Sequence, residues 1–288
     1  MNIFIILMVY LLITTFIWAF SFSIIGHYLS PDINPWTLSL LRTVIALIIF
    51  LPIVDLKIPR KHMLIMGLIG AIQIGVMYLL YLNAFLFISV PKILLFTITT
   101  PLYVTIVSDI IDQRIRSLFL MLSIGSILGA LLIRFTLIGS KDIVGLFLIQ
   151  GANLCFATGQ VLYKNFIKNS KRSSRGMSDF AYFYFGALVI TIIGFMLSNS
   201  NITLPISSFQ WILIIWLGAI ASGLGFYLWN RGALLVSSGT LAVMNNLVIP
   251  LGLIIEIIVF SKVINIETFL IGTIIIIGTI IISLKISN

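Results

Sequence analysis

Charge is what this sequence has least of. Its 288 residues carry 17 Lys+Arg and 8 Asp+Glu, 9% in all, where a soluble domain has roughly 25%. So few charges cannot coat a water-facing surface, which excludes a secreted, cytosolic or nucleic-acid-binding protein. The net charge of +9 is then a matter of membrane topology. Cysteine is represented by Cys155 alone, which excludes an internal disulfide and a thiolate metal site. The two histidines, His27 and His62, make no pair at metal spacing and read as interfacial residues at span ends. No glycine loop runs into Lys-Ser/Thr to cradle a phosphate. The residues thus offer no metal site, no cofactor site and no enzyme motif. No short charged leader with a cleavage site precedes the first apolar run, 3–27. That run is too long for a signal-peptide core and is expected to remain a membrane helix.

What the chain has instead is apolar length: 60% of its residues are hydrophobic. A bilayer core about 30 Å thick needs about 20 apolar residues per helix. Stretches without Asp, Glu, Lys or Arg, together with a polar break at 198–208, predict ten spans: 3–27, 35–54, 63–87, 91–110, 117–136, 143–166, 180–197, 209–231, 238–260 and 267–286. These runs lack the alternation of barrel strands, so the expected class is an all-α multi-pass protein of the cell membrane, the bacterial inner membrane for a bacterial chain. With the N-terminus inside, Lys57, Arg60, Lys61, Arg114, Arg116, Lys164, Lys168, Lys171, Arg172, Arg175, Arg231 and Lys285 fall on the cytoplasmic side. Lys92, Arg134, Lys141 and Lys262 fall outside. The bias places both termini in the cytoplasm and makes the basic cluster 168–175 a topology anchor, with lipid headgroups as its alternative partner.

A shift of 149 residues aligns 67–113 with 216–262 without a gap, matching Tyr78 to Tyr227, Ala84 to Ala233, Ser89 to Ser238 and Pro101 to Pro250. Prolines are scarce here, so their coincidence carries more weight than the apolar matches. Two halves of five spans, 1–137 and 138–288, would enter the membrane in opposite senses. A substrate path then lies between them near the midplane, reached by alternating access.

The first hairpin, FIWAFSFSIIGHYLSPDINPWTLSLLRTVIALIIFLP (16–52), resembles the opening of the drug/metabolite transporter superfamily, EamA type, with Trp18, Ser21, Phe22, Pro35, Arg42 and Ala46 at matching places. The stretches LYLNAFLFIS and YLWNRGALLVSSGTLAV, and the fourth-span Pro101, also fit, so the resemblance covers nearly the whole chain. It departs at Ile249-Pro250 and Ser261-Lys262, where Glu-Pro and Gly-Glu are usual, and at Lys92, where the family is small and apolar. The resemblance implies two inverted five-helix repeats and a secondary transporter for an amino acid, amine or carboxylate. It also implies that Arg42 serves structure by tying loop carbonyls together.

Ionisable residues within spans are functional candidates because they are costly in hydrocarbon. Arg42 lies about 10 Å inside the second span. Lys92 either snorkels to the headgroups or presents a cation to the pathway. Glu256 either snorkels or carries a proton as coupling ion, and a Lys92–Glu256 pair joins counterpart spans. Gln150, Asn153, Ala157, Gln160 and Lys164 recur at 3-4-3-4 spacing on one inward face of span 6, either bonding helices or lining a polar cavity. Asn245 and Asn246, one turn before Pro250, pose the same choice. Pro101 and Pro250 free the carbonyls of Thr97 and Asn246, as hinges or as plain kinks. Trp18, Tyr78 and Tyr81 are the aromatics expected to line a cavity; Tyr28, Trp36 and Trp211 read as belt residues. Gly218, Ser222, Gly225 and Gly232 form a small packing face. The substrate-binding set is therefore Trp18, Tyr78, Tyr81, Lys92, Asn153, Gln160, Asn245, Asn246 and Glu256, in a monomer or homodimer surrounded by lipid. A lipid-modifying membrane enzyme or a structural membrane protein is the alternative; the former lacks clustered carboxylates or histidines.

Overall fold

The computed structural model describes residues 3–133, 139–170, 176–261 and 263–286, and among them every regular element is helical. Ten apolar helical stretches follow one another: span 1 (Met8–Leu29, in a helix that begins at Ile3), span 2 (Pro35–Ile53), span 3 (Arg60–Ala84), span 4 (Val90–Asp112), span 5 (Ser117–Ile133), span 6 (Ser140–Asn169), span 7 (Phe180–Leu197), span 8 (Ser208–Leu235), span 9 (Ser238–Phe260) and span 10 (Ile266–Ile286). Among the described residues, all but the 17-residue span 5 reach the length of a membrane helix. Of the residues used to read topology, Arg134, Lys171, Arg172, Arg175 and Lys262 lie outside the described residues.

Polarity is distributed as a membrane demands. Large apolar side chains such as Phe16, Ile48, Leu128, Phe185, Ile215 and Ile274 are exposed on the outside, while Ser39, Thr43, Ser123, Thr191, Gln73 and Asn230 are buried. In lipid a polar group must find its partner inside the protein. Thr43 meets Thr191 at 3.1 Å and Thr105 meets Ser123 at 2.8 Å across helix pairs. Gln73 and Asn230 exchange both amide bonds at 3.3 Å.

Spans 5 and 10 pair at one edge of the bundle and spans 2 and 7 at the other. Between them stand spans 1, 3, 4, 6, 8 and 9, packed 1 on 8 and 9, 6 on 3 and 4, and 4 on 9. Renumbering each span by five leaves these pairings unchanged. Glycine permits the closest approaches: a Cβ on Gly186 would lie 1.9 Å from the Gly67 carbonyl, and one on Gly272 2.3 Å from that of Gly129. The small face of span 8 is divided between neighbours, Gly218 against Ile45 and Gly225 and Gly232 against Trp18 and Leu11.

Spans 4 and 9 are broken in the same way. Each runs as a seven-residue helix, a three-residue 3-10 turn and a 13-residue helix: Val90–Phe96, Thr97–Thr99, Thr100–Asp112, and Ser238–Met244, Asn245–Leu247, Val248–Phe260. Gln113 and Ser261 end them in left-handed conformation, φ 49° and 51°. Val90 and Ser238 are 148 positions apart, so the structural register is 148 where the sequence match used 149. The prolines explain the difference: Pro101 is the second residue of its helix and Pro250 the third. Spans 3 and 8 each contain a wide π-helical stretch, Ala71–Val76 and Leu217–Leu224, a feature that re-aims the following side chains.

Candidate functional site

The helix breaks and π stretches surround a central cavity. Span 1 contributes Thr15, Trp18, Ser21 and Phe22; span 2 contributes Arg42; span 3, just beyond its π stretch, contributes Met77, Tyr78 and Tyr81. The breaks of spans 4 and 9 present Thr97, Thr100, Asn245 and Val248. Span 6 adds Ala152, Asn153 and Phe156, and span 8 adds Phe226 and Trp229.

One wall is aromatic. The Trp18 ring lies 5.0 Å from Trp229, 5.0 Å from Phe226 and 5.4 Å from Phe156, centroid to centroid, and Phe22 meets Tyr81 edge-on at 5.6 Å. Indole donors are spent on holding this wall in place: Trp18 Nε1 donates to the Ala221 carbonyl at 2.9 Å and Trp229 Nε1 to Gln160 Oε1 at 2.8 Å. A buried aromatic with its polar edge satisfied is a rigid platform for a ring.

The opposite feature is a buried cation. Arg42 is 3% exposed. Its Nε donates to Ser222 Oγ at 3.1 Å and its Nη2 to Tyr78 Oη at 2.9 Å, with the guanidinium carbon 4.3 Å from the Tyr78 ring centroid. Tyr78 Oη and Ser222 Oγ are themselves 2.7 Å apart. Nη1 is buried without a partner among the described residues.

Trp18, Tyr78, Tyr81, Asn153 and Asn245 thus line one cavity. Arg42 requires correction: its partners are hydroxyls of spans 3 and 8, not loop carbonyls, and it faces the cavity. Gln160 and Asn246 do not line it. Gln160 holds Trp229, and Asn246 donates to the Ile98 carbonyl at 3.1 Å and to Ser126 Oγ at 3.0 Å. The inward face of span 6 divides likewise, since Gln150 and Asn153 donate to the Phe96 carbonyl at 3.0 and 2.9 Å. The carbonyls that need amides at the span 4 break are therefore those of Phe96 and Ile98; that of Thr97 takes the Thr100 hydroxyl at 2.7 Å. Lys164 lies 6% exposed at the far end of that face and bonds the Val236 carbonyl.

The expected Lys92–Glu256 pair does not form. Lys92 Nζ reaches Asp142 Oδ2 at 2.6 Å, at the starts of spans 4 and 6, while Glu256 accepts from Ser23 Oγ at 2.6 Å and meets His27 Nε2 at 3.1 Å. Glu256 is 1% exposed, so it does not snorkel, and neither residue lines the cavity. His27, near the end of span 1, stacks on Phe260 at 3.8 Å, and buried His62, near the start of span 3, meets Asp179 at 3.1 Å; both histidines connect span ends. The aromatic partners Phe156, Phe226 and Trp229 and the hydroxyls Thr15, Thr97 and Thr100 escaped the sequence reading, because apolar periodicity cannot say which face of an all-apolar helix looks inward. Among the described residues no three His, Cys, Asp or Glu gather to hold a metal.

The EamA-like transporter family matches residues 5–135. The chain is similar to the biotin transporter of Salmonella typhimurium LT2, 35% identical over 278 residues that cover 94% of this chain and 91% of that one. It is 36% identical to the biotin transporter of Escherichia coli K12 over the same shares. A probable biotin transporter of Pseudomonas aeruginosa PAO1 is 35% identical, covering 88% of this chain and 89% of its own. A crystal structure of another protein superposes with a TM-score of 0.76 over 98% of both chains at 14% identity, a shared fold.

Proposed function

The chain belongs to the EamA-like transporter family, and from that premise we propose that it carries biotin, or a carboxylate closely similar to it, across the cell membrane. It is a multi-pass membrane transporter of a small molecule and not an enzyme. Of the three substrate classes the sequence left open, the relatives favour the carboxylate.

The observation that carries this reading is the make-up of the cavity. Biotin is a compact fused bicycle with a ureido edge, a thioether edge and a short aliphatic chain ending in a carboxylate. Such a solute needs an apolar cleft with a few placed polar groups. The wall of Trp18, Phe156, Phe226 and Trp229 offers the cleft, and the side-chain oxygens of Asn153, Thr97, Thr100 and Asn245 offer acceptors to the N–H groups of a ureido edge. A free amino acid or amine would leave most of that aromatic surface unused.

Residues 1–137 and 138–288 are the two halves in this proposal, inverted with respect to one another, with both termini cytoplasmic. Alternating access rocks the halves about the cavity, and the breaks next to Pro101 and Pro250 are its hinges. The exchange of span neighbours between the halves supports the division. Proteoliposomes loaded with the purified protein are expected to take up radiolabelled biotin saturably, and excess amino acids or amines are expected not to compete. Uptake of an amino acid or amine with none of biotin would overturn the reading.

A further inference from the structure

Arg42 is a buried guanidinium for which the described residues supply no carboxylate. None of the ion pairs among them includes it. Its two hydrogen-bond partners among the described residues, Tyr78 Oη and Ser222 Oγ, are neutral, and Nη1 has no partner among them. A charge in the membrane interior is tolerated when it meets an opposite charge or water, and this one borders the cavity of the transport reading. Resting on that reading, we propose that Arg42 is the anchor for the carboxylate of the transported molecule, which binds through Nη1.

The surroundings are built to hold the guanidinium in one orientation. Tyr78 sits under its face and also accepts from its Nη2, and Ser222 fixes its Nε, so spans 3 and 8 both restrain a side chain that comes from span 2. The fork left over is the geometry that suits a carboxylate, which pairs with arginine more strongly than a neutral group does. Trp18 donates to the Ala221 carbonyl, next to Ser222, so the anchor and the aromatic wall stand side by side. Neighbouring parts of one cavity then take the anion and the ring. Without an anion the cavity keeps an uncompensated positive charge, so recognition of the carboxylate is expected to dominate the affinity.

The test compares biotin with biotinamide, its neutral carboxamide, in direct binding to the purified full-length protein. The wild-type protein is expected to bind biotin about 10- to 100-fold more tightly, the scale of a charged hydrogen-bonded contact. In R42Q that ratio is expected to collapse towards one, and R42K is expected to restore part of it. Equal wild-type affinity for the two ligands would overturn the anchor while leaving the substrate reading intact. A ratio in folded R42Q equal to that of wild type would also overturn it, by showing that Arg42 only ties spans together. No wild-type binding of biotin would overturn the substrate reading and this inference with it. The wild-type comparison stands whether or not R42Q folds.

Discussion

Spans 4 and 9 share a helix, a 3-10 turn and a second helix of the same lengths, yet they satisfy their broken backbones from opposite directions. Span 4 carries threonines at its break. Thr97 and Thr100 hydroxyls bond back to the Leu94 and Thr97 carbonyls, and the carbonyls of Phe96 and Ile98 draw amides from Gln150, Asn153 and Asn246 on other spans. Span 9 carries its own amides: Asn245 bonds the Leu241 carbonyl within its helix, and Asn246 is lent to span 4. At these breaks the Thr97 and Thr100 hydroxyls close local bonds, whereas the amides of Gln150, Asn153 and Asn246 reach across to a neighbouring span. The difference decides which polar groups at the cavity are already committed to structure and which remain free for a solute.

The largest expected effect separates two adjacent residues. Asn246→Leu strands the Ile98 carbonyl and Ser126 in hydrocarbon, and a stranded buried group costs about 1–3 kcal/mol. Thermal unfolding of the purified protein should show that loss clearly. Asn245→Leu removes a bond within one helix turn and exposes a changed surface to the cavity. It should lower the melting temperature much less and raise the Km for biotin. Equal destabilisation by both substitutions would break the contrast between a lent amide and a kept one.

Spans 4 and 9 also differ at the ends remote from their breaks, and the second expected effect is there. Glu256 of span 9 is a buried carboxylate bonded to Ser23 and His27 of span 1, and both spans line the cavity. Its structural counterpart in span 4, 148 positions earlier, is Ser108, which accepts from Arg116 at 3.2 Å and carries no charge. A titratable pair that joins the two halves is where a proton can be linked to their movement against one another. Glu256→Gln is expected to abolish the response of uptake to an imposed pH gradient while biotin counterflow between equal pH values persists. A full pH response in this variant would remove Glu256 as the carrier.

The ten spans, the broken fourth and ninth helices and the inward face of span 6 were legible because each leaves a trace along one helix: missing charge, proline, or amides at helical spacing. The pairs Lys92–Asp142, His62–Asp179 and Glu256–His27 were not, because their members lie 50, 117 and 229 positions apart. Nor was the inward turn of Arg42, since its orientation follows from Tyr78 and Ser222, which flank or lie within the π stretches of spans 3 and 8. A π stretch shifts the helical phase by a fraction of a turn and has no reliable residue signature. The same reasoning explains the register: matching prolines gave 149, whereas the positions of the breaks give 148.

The smallest expected effect tests the start of span 4 against that assignment of charges. Lys92 is half-exposed at the start of the span, where it closes on Asp142, whose Oδ2 also accepts the Gly139 amide at 2.8 Å and so fastens the turn into span 6. At the corresponding start of span 9, Ser237 caps the helix by accepting from the Thr240 amide. Lys92 thus holds a connection and is not among the residues that line the cavity. An ion pair that is open to water on its lysine side contributes little, because water and salt screen it. Lys92→Gln should therefore lower the melting temperature slightly and leave the Km for biotin and the ratio between biotin and biotinamide as they are in wild type. A Km raised for the carboxylate and not for the amide would return Lys92 to the substrate path and move the anion-recognising end of the transporter from span 2 to span 4.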